Sequence, residues 1–485
     1  MFESDFLTSN LKATESYEEF LNRAIRLVTS AMPEKPYRGA SANELAPMLS
    51  FDFLGPASRD ALVNSLRLVL EHSINVAHPR TIAHLHCPPL IASLAAEAVI
   101  AALNQSMDSF DQAPFATVLE QKLIAWICSQ AGLPGSADGT FTTGGTQSNY
   151  QGLLLARDAF ARRRWNWSVQ KAGLPPEWTR LRVLCSDVAH FTVEKSASQL
   201  GLGTDAVIRI PVDAQFRMRI EALSTTLESL SKQDLLPFAI VATAGTTDFG
   251  SIDPLPDIAD LAHSAGAWLH VDAAYGGALL FSSTHRGKLT GTERADSISI
   301  DFHKLLWQPI PCSVFLVRDR RNFESMRLHA DYLNPETHEE QGIPNLVTHS
   351  LLTSRRFDAL KLWISLQALG FAKLDLMLDR TLQLAAYAAQ VIQKSDRLQL
   401  VHEPELSAVV FRYLPSGGSV DPDQINRQLR QRLFDSGSAV IGHTRVNGRQ
   451  CLKFTCMNPT MRDDQVEELV RDIVDMGDRI ERELQ

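Results

Sequence analysis

The chain has 485 residues, of which 45% are hydrophobic and 21% charged, a composition typical of a protein with a large buried core. This length predicts two or three compact units rather than one. The formal net charge of -9 argues against a nucleic-acid-binding protein, which normally presents a basic face. No apolar run approaches the ~20 residues needed to cross a bilayer, so no membrane partner is expected.

The cysteines and the first residues bear on the cellular compartment. None of the six cysteines forms a C-x-x-C pair, so neither a zinc ribbon nor a thioredoxin-type motif is indicated, and we predict no metal site. The segment from Met1 to Asp5 is acidic and lacks the basic start and apolar core of a secretory signal. We therefore expect a reduced, cytoplasmic protein.

The first part of the chain has helical patterns. Residues 16–31 place Phe20 and Ile25 on one helix face, and a second helical pattern covers residues 58–72. We predict a helical N-terminal arm over residues 1–85. Such an arm either contributes to an oligomer interface or is a packed extension, and the sequence leaves both alternatives open.

From about residue 117, helical patterns alternate with short apolar runs rich in β-branched residues. Strands separated by helices in this way are typical of a mainly parallel sheet that is buried on both faces, as in α/β proteins. We assign this part to a large domain over residues 86–375. The predicted strands cover residues 181–185, 238–243, 267–271, 297–300 and 313–317.

The pattern changes again in residues 376–485. A long helix comes first, and apolar strands follow near residues 407–412 and 451–455. The last helix has apolar residues at helical spacing from Val466 to Val474. This order predicts a small α+β C-terminal domain.

Two segments have the residue types of a phosphate and cofactor site. Gly144 and Gly145 precede a helical run, and glycines there let backbone N–H groups approach a phosphate, whose charge the helix dipole favours. Alone, such a segment is more often only a turn. His190 follows the strand predicted at 181–185, where ligands bind in open α/β sheets, and its flat ring can stack on an aromatic cofactor. A histidine satisfied by local hydrogen bonds is the alternative.

Two further strands end in residues with reactive side chains. Asp272 ends the apolar run that begins at Trp268, and a carboxylate there can pair with a pyridinium nitrogen and keep it protonated. Lys304 follows the strand at 297–300, and a lysine held in a site can form an imine with an aldehyde. Each residue alone has an ordinary explanation, a helix cap for the aspartate and a solvated surface position for the lysine. Their order and their shared position at strand ends favour one site.

These motifs resemble the group II pyridoxal-phosphate decarboxylases, and the resemblance extends from about residue 78 to the C-terminus. It implies PLP fold type I: an α/β large domain with a mainly parallel seven-stranded sheet, a small C-terminal domain, and a homodimer with sites near the interface. It also implies pyridoxal 5'-phosphate as the cofactor. In this family Lys304 would be the Schiff-base lysine, Asp272 the pyridinium partner, and His190 the stacking and protonating imidazole.

The resemblance implies further cofactor contacts. The phosphate would be held by Gly145, Thr146, Ser297 and Asp301, the ring would be contacted by Thr246 and Ala274, and His303 would lie beside the cofactor.

One departure from the family pattern concerns the proton donor. Members with aromatic substrates have a tyrosine on a mobile loop, whereas the matching segment here, residues 342–347, has none. Tyr332 lies earlier in the chain and is not assigned that role. His190 is therefore the predicted proton donor.

Several strings are most similar to bacterial diamino acid decarboxylases, namely residues 78–88, 104–112 and 354–361. The similarity is to L-2,4-diaminobutyrate decarboxylases and to lysine decarboxylases of siderophore pathways, and residues 303–309 and 447–454 resemble the lysine type more. It implies conversion of lysine, diaminobutyrate or ornithine to a diamine and carbon dioxide.

The substrate contacts are predicted from charge. Lys453 or Arg355 would anchor the substrate carboxylate, with a surface or structural cation as the alternative. Asp108 or Asp111 would bind the distal ammonium, with a helix cap or surface pairing as the alternative. The pocket would be lined by His84 and His86.

The sequence is also compatible with other functions. The substrate could instead be glutamate, aspartate or an aromatic amino acid. The same fold also serves aminotransferases and carbon–carbon lyases, although the contexts of His190 and Lys304 favour decarboxylation. A non-catalytic relative that has kept the fold is disfavoured because every chemical residue is present.

Overall fold

The structure, a computed structural model, describes residues 5–49, 59–417 and 420–485, with the backbone only for residues 59–61 and 339. These residues form two compact units. The first contains the described residues of 1–86, 387–401 and 409–485, and the second contains residues 87–386 and 402–408. No helix in the described ranges is long and apolar enough to span a membrane.

The strands are numbered in chain order. They are β1 (Thr81–Ile82), β2 (Asp138–Thr142), β3 (Leu181–Ser186), β4 (Val207–Ile210), β5 (Leu236–Thr243), β6 (Trp268–Asp272), β7 (Ser297–Asp301), β8 (Ser313–Val317), β9 (Leu398–Leu400), β10 (Ala408–Tyr413), β11 (Val440–Val446) and β12 (Arg449–Thr455).

The α-helices are numbered in the same way, and short 3-10 turns connect several of them. They are α1 (Leu11–Ser30), α2 (Ala42–Leu45), α3 (Arg59–His72), α4 (Ile91–Leu103), α5 (Pro114–Gln130), α6 (Gly145–Trp165), α7 (Val169–Ala172), α8 (Thr192–Gln199), α9 (Ile220–Lys232), α10 (Leu255–Ala265), α11 (Glu336–Glu340), α12 (Ala359–Gln393), α13 (Pro422–Asp435) and α14 (Asp463–Leu484).

The second unit is built on a seven-stranded sheet with the strand order β2-β8-β7-β6-β5-β3-β4. Strands β4, β3, β5, β6 and β7 are parallel, and β8 runs antiparallel to both β7 and β2. Helices α6, α9 and α10 pack on these strands. The predicted mainly parallel seven-stranded sheet is confirmed. All five strands predicted from apolar runs are present, as β3 and β5 to β8, whereas β2 and β4 were not predicted.

Local sequence explains the bounds of the helices that flank the sheet. Helix α10 has Pro256 in its first turn, where the missing N–H costs no hydrogen bond, and it ends at Gly266 in the left-handed conformation, with φ of 63°. Strands β6 and β7 are buried at every position, as expected of central strands covered on both faces.

The first unit contains a five-stranded sheet with the order β1-β11-β12-β10-β9. Strand β1 pairs in parallel with β11, so residues predicted as an N-terminal arm share a sheet with the C-terminal strands. Helix α13 packs on β11 and β12 and against α14, and α1 packs against α3. Residue 58, where the second predicted helix begins, lies outside the described residues. The predicted boundaries at residues 85 and 375 stay a prediction.

Candidate active site

The strand ends of the second unit bring the sequence-predicted residues together. Strands β3, β5, β6 and β7 are parallel, so their carboxyl ends lie at one edge of the sheet. Strand β2 runs in the same direction as β7, because both are antiparallel to β8. The segments that follow these five strands are therefore close in space although they are far apart in the chain.

A pocket of about 240 Å³ opens at this edge. Predicted residues line it from four different segments of the chain, which is the convergence that the sequence alone suggested, and unpredicted residues after β5 supply a fifth. Its lining consists of Gly144, Gly145, Thr146, Asn149, His190, Thr243, Gly245, Thr247, Asp272, Ala274, Tyr275, Asp301, His303 and Lys304.

The predicted reactive lysine is paired with a buried carboxylate. Lys304 Nζ lies 2.9 Å from Asp301 Oδ2, and His303 Nε2 lies 3.7 Å from the same oxygen. Burial alone would raise the pKa of Asp301, but the positive charges of Lys304 and His303 hold it below its usual value. Asp301 is therefore a charged group that fixes the position of the lysine amine.

Asp272 lies at the end of β6 with its carboxylate almost fully buried. Its Oδ2 accepts a hydrogen bond of 2.7 Å from Asn149 Nδ2, and its Oδ1 accepts from Ser299 Oγ and from the Ala274 backbone N–H, each at 3.1 Å. Three donors hold the carboxylate in one orientation at the wall of the pocket.

His190 lies on the segment between β3 and α8. Burial lowers the pKa of His190 below its usual value, the nearby Lys304 lowers it further, and Asp272 opposes this effect. The ring is therefore neutral near pH 7. Its Nδ1 lies 2.9 Å from Thr192 Oγ1, which fixes the plane of the imidazole.

The residues present fit a phosphorylated cofactor. Helix α6 is 21 residues long and begins at Gly145, so its N-terminal N–H groups point to the pocket. A Cβ atom at Gly145 would lie 3.1 Å from Ala274 Cβ and 3.3 Å from Asp301 Oδ2, so a side chain there would narrow the pocket. Asp301 Oδ1 is buried without a hydrogen-bond partner among the described residues, as expected for an atom that faces a bound group.

Two residues predicted to contact the cofactor lie outside this pocket. Ser297 is fully buried, and its hydroxyl bonds to Trp268 Nε1 and His270 Nδ1, each at 2.8 Å. Thr246 is also buried, and its hydroxyl bonds to Ser251 Oγ at 2.8 Å. Ser297 begins β7 rather than following its end, and its hydroxyl is bonded to these two buried partners. Next to Thr246, the pocket is lined by Gly245 and Thr247 instead.

The structure gives Arg355 a structural position rather than a place at the pocket. Arg355 Nη2 lies 2.9 Å from Glu120 Oε1, and the side chains are only 5% and 0% exposed. Arg355 Nη1 also donates to the Phe141 carbonyl at 3.1 Å. Its guanidinium is occupied by a buried carboxylate on α5, so the prediction that it anchors the substrate carboxylate is not supported.

The two aspartates predicted to bind the distal ammonium lie in the loop between α4 and α5 and do not line the pocket. Asp108 is 8% exposed, and its Oδ1 has no hydrogen-bond partner among the described residues. Asp111 is exposed and accepts a bond of 2.6 Å from Ser109 Oγ, which lowers the pKa of its carboxyl. Tyr332 is 90% exposed and does not line the pocket either.

The other predicted substrate contacts belong to the first unit. Burial lowers the pKa of both His84 and His86, and the positive charge of Lys453 lowers that of His84 further. Lys453 lies on β12 and is 5% exposed. His84 and Lys453 therefore lie close to each other within this unit.

The structure adds one polar residue with a clear function in the site that the sequence analysis missed. Asn149 on α6 contacts Asp272 directly, yet its only sequence signal was its place four residues after Gly145. Its partners had a separate signal, because polar residues at alternate positions of β6 and β7, His270 with Asp272 and Ser297 with Ser299, point to one face of the sheet. The other pocket residues not predicted are Thr243, Gly245, Thr247 and Tyr275.

A lysine, an aspartate and a histidine at the strand ends of an α/β sheet, beside a helix N-terminus whose N–H groups can bind a phosphate, fit a pyridoxal-phosphate enzyme. Residues 54–414 match the pyridoxal-dependent decarboxylase conserved domain, and the chain belongs to this family. The protein is therefore a carboxy-lyase, and pyridoxal 5'-phosphate is its cofactor.

Similar proteins agree on the reaction class. The chain is 40% identical over 485 residues to an L-2,4-diaminobutyrate decarboxylase of Acinetobacter baumannii, covering 98% of this chain and 95% of that protein. It is 45% identical over 417 residues to an L-2,4-diaminobutyrate decarboxylase of Rhizobium meliloti (strain 1021), covering 86% and 81%.

A solved structure agrees on the fold. The glutamate decarboxylase domain of diaminobutyrate-pyruvate transaminase and L-2,4-diaminobutyrate decarboxylase from Vibrio parahaemolyticus is 40% identical to this chain. It superposes with a TM-score of 0.91 and covers 99% of both chains. This similarity confirms the predicted PLP fold type I.

Proposed function

We propose that the protein decarboxylates L-2,4-diaminobutyrate, or a closely related basic diamino acid, to the diamine and carbon dioxide. This substrate is supported by sequence identities of 40% and 45% to two L-2,4-diaminobutyrate decarboxylases over most of the chain. Lysine and ornithine have the same pattern of charged groups on a longer side chain, and they are the next candidates.

The residues of the pocket divide the chemistry among them. Pyridoxal phosphate, when bound, supplies an aldehyde and an electron-poor ring that accepts the electron pair of the breaking carbon–carbon bond. Lys304 presents the amine that holds the aldehyde, next to the fixed charge of Asp301 at 2.9 Å. Asp272 would hold the ring nitrogen of the bound cofactor and stabilise positive charge on it. His190 would pack against the ring, and its neutral imidazole would supply a proton for the substrate.

The distal ammonium of a diamino acid needs a carboxylate, and the buried Asp108 is our candidate. Its Oδ1 has no hydrogen-bond partner among the described residues, and a buried carboxylate oxygen without one favours the binding of a cation. Asp111 is more exposed and already accepts from Ser109, so it is the weaker candidate. We further propose that Lys453 binds the substrate carboxylate and that His84 and His86 line the substrate site.

A carbon dioxide release assay tests the substrate. Diaminobutyrate, ornithine, lysine, glutamate, cysteine sulfinate and aromatic amino acids are compared by kcat/KM. We expect the highest value for diaminobutyrate. A preference for an acidic or aromatic amino acid would refute the proposed substrate, whereas a keto acid product without carbon dioxide would indicate transamination.

A pair of lysine variants tests the assignment of Lys304. In Lys304→Ala, the visible absorbance band of the bound cofactor should disappear and carbon dioxide release should fall to background. Lys122→Ala, which changes an exposed lysine on α5, is the matched control and should retain both. Retention of the band in Lys304→Ala would show that another amine holds the cofactor.

A comparison of two aspartate variants tests the ammonium contact. We expect Asp108→Asn to lower kcat/KM for diaminobutyrate by about 10–100-fold, the usual worth of a hydrogen bond to a charged group, with little effect on a neutral amino acid of similar length. Asp111→Asn, in the same loop, is the comparison. An unchanged preference for diamino acids in both variants would remove these aspartates from the substrate site.

We also propose that the protein is a homodimer. Large apolar side chains are exposed on α4, with Ile91 85%, Leu94 48% and Leu103 55% exposed, and Phe115 at the start of α5 is 67% exposed. Large apolar side chains exposed in this number on neighbouring segments of the chain favour contact with another chain. Sedimentation of the wild type and of Ile91→Asp tests this: a dimer that the charge weakens is expected, and a monomeric wild type would refute it.

A cytoplasmic location is proposed as well. In the described part of the chain, all six cysteines are buried thiols outside any disulfide, which is usual in a reducing compartment. Fractionation of the source cells would test this location.

A further inference from the structure

A connected group of buried polar side chains begins at Asn149 and Asp272 in the pocket lining and also reaches His190. Strands β6 and β7 pair so that His270 lies opposite Ser297 and Asp272 opposite Ser299. Asn149 on α6 contacts His270 on β6 and Ser299 on β7. All of these side chains are at most 6% exposed, so protein groups satisfy their hydrogen bonds.

The direction of the hydrogen bonds in this group can be derived, beginning at Asp272. A carboxylate only accepts, so the atom of Asn149 that lies 2.7 Å from Asp272 Oδ2 must be the amide nitrogen. The amide oxygen of Asn149 then faces the two remaining neighbours, Ser299 Oγ at 3.0 Å and His270 Nε2 at 2.9 Å. The negative charge of Asp272 therefore fixes which side of the Asn149 amide is the nitrogen and which is the oxygen.

The orientation of Asn149 in turn fixes the protonation of His270. Since His270 Nε2 faces an amide oxygen, Nε2 carries the proton, and Nδ1 accepts from the Ser297 hydroxyl at 2.8 Å. Burial lowers the pKa of His270 to about 4, so the ring is neutral. The hydrogen bond at the buried end of the group is consistent with this assignment. The indole N–H of Trp268 can only donate, and Ser297 Oγ accepts it at 2.8 Å, which leaves the Ser297 hydroxyl proton for His270.

A second branch runs from Asn149 to His190. The other proton of the Asn149 amide nitrogen is donated to Thr192 Oγ1 at 3.0 Å, which leaves the Thr192 hydroxyl proton for His190 Nδ1 at 2.9 Å. The backbone N–H of Thr192 also points to this Nδ1, at 3.4 Å, and a backbone N–H can only donate. Nδ1 of His190 is therefore an acceptor, and the neutral ring carries its proton on Nε2.

We propose that Asn149 is a positioning residue that orients Asp272 and, through Thr192, sets the tautomer of His190 with its proton on Nε2. Trp268, Ser297 and His270 form the buried end of the same directional chain. Ser297, which the sequence assigned to the phosphate, thereby has a different function. The inference rests on the roles proposed above for Asp272 and His190.

Nitrogen-15 NMR of the holoenzyme with labelled histidine measures the tautomer without substrate. Protonated and unprotonated ring nitrogens have distinct shifts, and the signals are assigned with His190→Gln and His270→Gln. We expect both rings to be neutral with the proton on Nε2. In Thr192→Val, which is nearly isosteric, the His190 signals should shift to a mixture of tautomers, and Thr192→Ser should restore the single form.

Cofactor binding provides the second readout. In Asn149→Leu, the affinity for pyridoxal phosphate should fall by about 10–100-fold, since Asp272 loses a hydrogen bond to its charge. Thr140→Val, which changes another fully buried threonine, on β2, is the matched control and should leave the His190 tautomer unchanged.

The outcomes separate this inference from the proposed function. A His190 signal that shows the proton on Nδ1 in the wild type, or a tautomer that stays unchanged in Thr192→Val, would overturn the proposal. If Asn149→Leu does not fold, the comparison of Thr192→Val with Thr192→Ser still tests whether Thr192 sets the His190 tautomer. Failure of the substrate proposal would appear only in the carbon dioxide assay and would leave these signals as they are.

Discussion

The buried pair of Arg355 and Glu120 allows a sharp test of a structural cation against a substrate anchor. Replacing Arg355 by Met keeps most of the volume of the side chain but leaves Glu120, which is 0% exposed, as a buried carboxylate without its partner. Removal of one partner of a buried ion pair costs about 3–5 kcal/mol of unfolding free energy. Phe141 also loses the bond to its carbonyl, worth about 1 kcal/mol.

The ion pair of Arg355 and Glu120 also supports the candidate active site. Glu120 Oε1 also accepts from the Phe141 backbone N–H at 3.2 Å, so the pair holds β2 three residues before Gly144. We expect Arg355→Met to lower the unfolding free energy by about 4–6 kcal/mol, with KM for diaminobutyrate close to that of the wild type in the fraction that remains folded.

Urea unfolding with saturating pyridoxal phosphate, together with steady-state kinetics, measures both quantities. The double variant Glu120→Leu with Arg355→Met is the matched comparison. It should recover much of the lost stability, because no charge is then left buried. A variant Arg355→Met that is as stable as the wild type, but whose KM rises more than 10-fold, would refute this reasoning and restore the anchor.

Three further predictions concern packing and pH. A Cβ atom in Gly152→Ala would lie 2.6 Å from the buried His270 Nδ1, and thermal unfolding should show a loss of about 1–3 kcal/mol despite the better helix propensity of alanine. In Gly477→Ala the added atom would overlap the ring of Tyr413, so the same assay should show a loss of similar size in the first unit. Burial raises the pKa of Asp253 to about 6, so the folded state binds this proton more tightly than the unfolded state does. Urea unfolding across a pH series should therefore show the stability of the wild type relative to Asp253→Asn falling by about 2–3 kcal/mol between about pH 4 and pH 7.

Controls separate these effects from general damage. Gly135→Ala adds a Cβ atom with no neighbour within 4 Å, so it should change stability little. Stability of Gly152→Ala equal to that of this control would mean that His270 moves freely, contrary to its two hydrogen bonds. A pH-independent difference between the wild type and Asp253→Asn would show that this carboxyl titrates normally in the folded state.

Much of the site was predictable because ligands bind at the carboxyl ends of the strands in open parallel sheets. Asp272 and Lys304 follow apolar strands in the sequence, and carboxyl ends of parallel strands meet at one edge. His190 follows β3 in the same way, whereas Gly145 follows β2, which was not predicted, and was identified from its place before a helical run. Position after a predicted strand was therefore enough to place Asp272, Lys304 and His190 at one pocket, where the structure also places Gly145.

The residues assigned by family motif alone were less certain, because a motif does not give the direction of a side chain. Thr246 lies between two pocket residues in the chain and Ser297 lies four residues before Asp301, but the hydroxyl of each bonds to a buried partner instead. Arg355 has the charge of an anchor, yet its partner Glu120 lies 235 residues earlier, and no local pattern indicates that pair.

The sequence by itself indicated five strands of the sheet, the reaction class and the strand-end residues Asp272, Lys304 and His190, because apolar periodicity and local motifs can be read along the chain. Only the tertiary structure decided which polar side chains contact each other. The bond from Asn149 to Asp272 joins residues 123 apart, and the bond from Asn149 to His270 joins residues 121 apart. Such contacts depend on how α6 packs on β6 and β7, and hydrogen-bond direction follows from that packing.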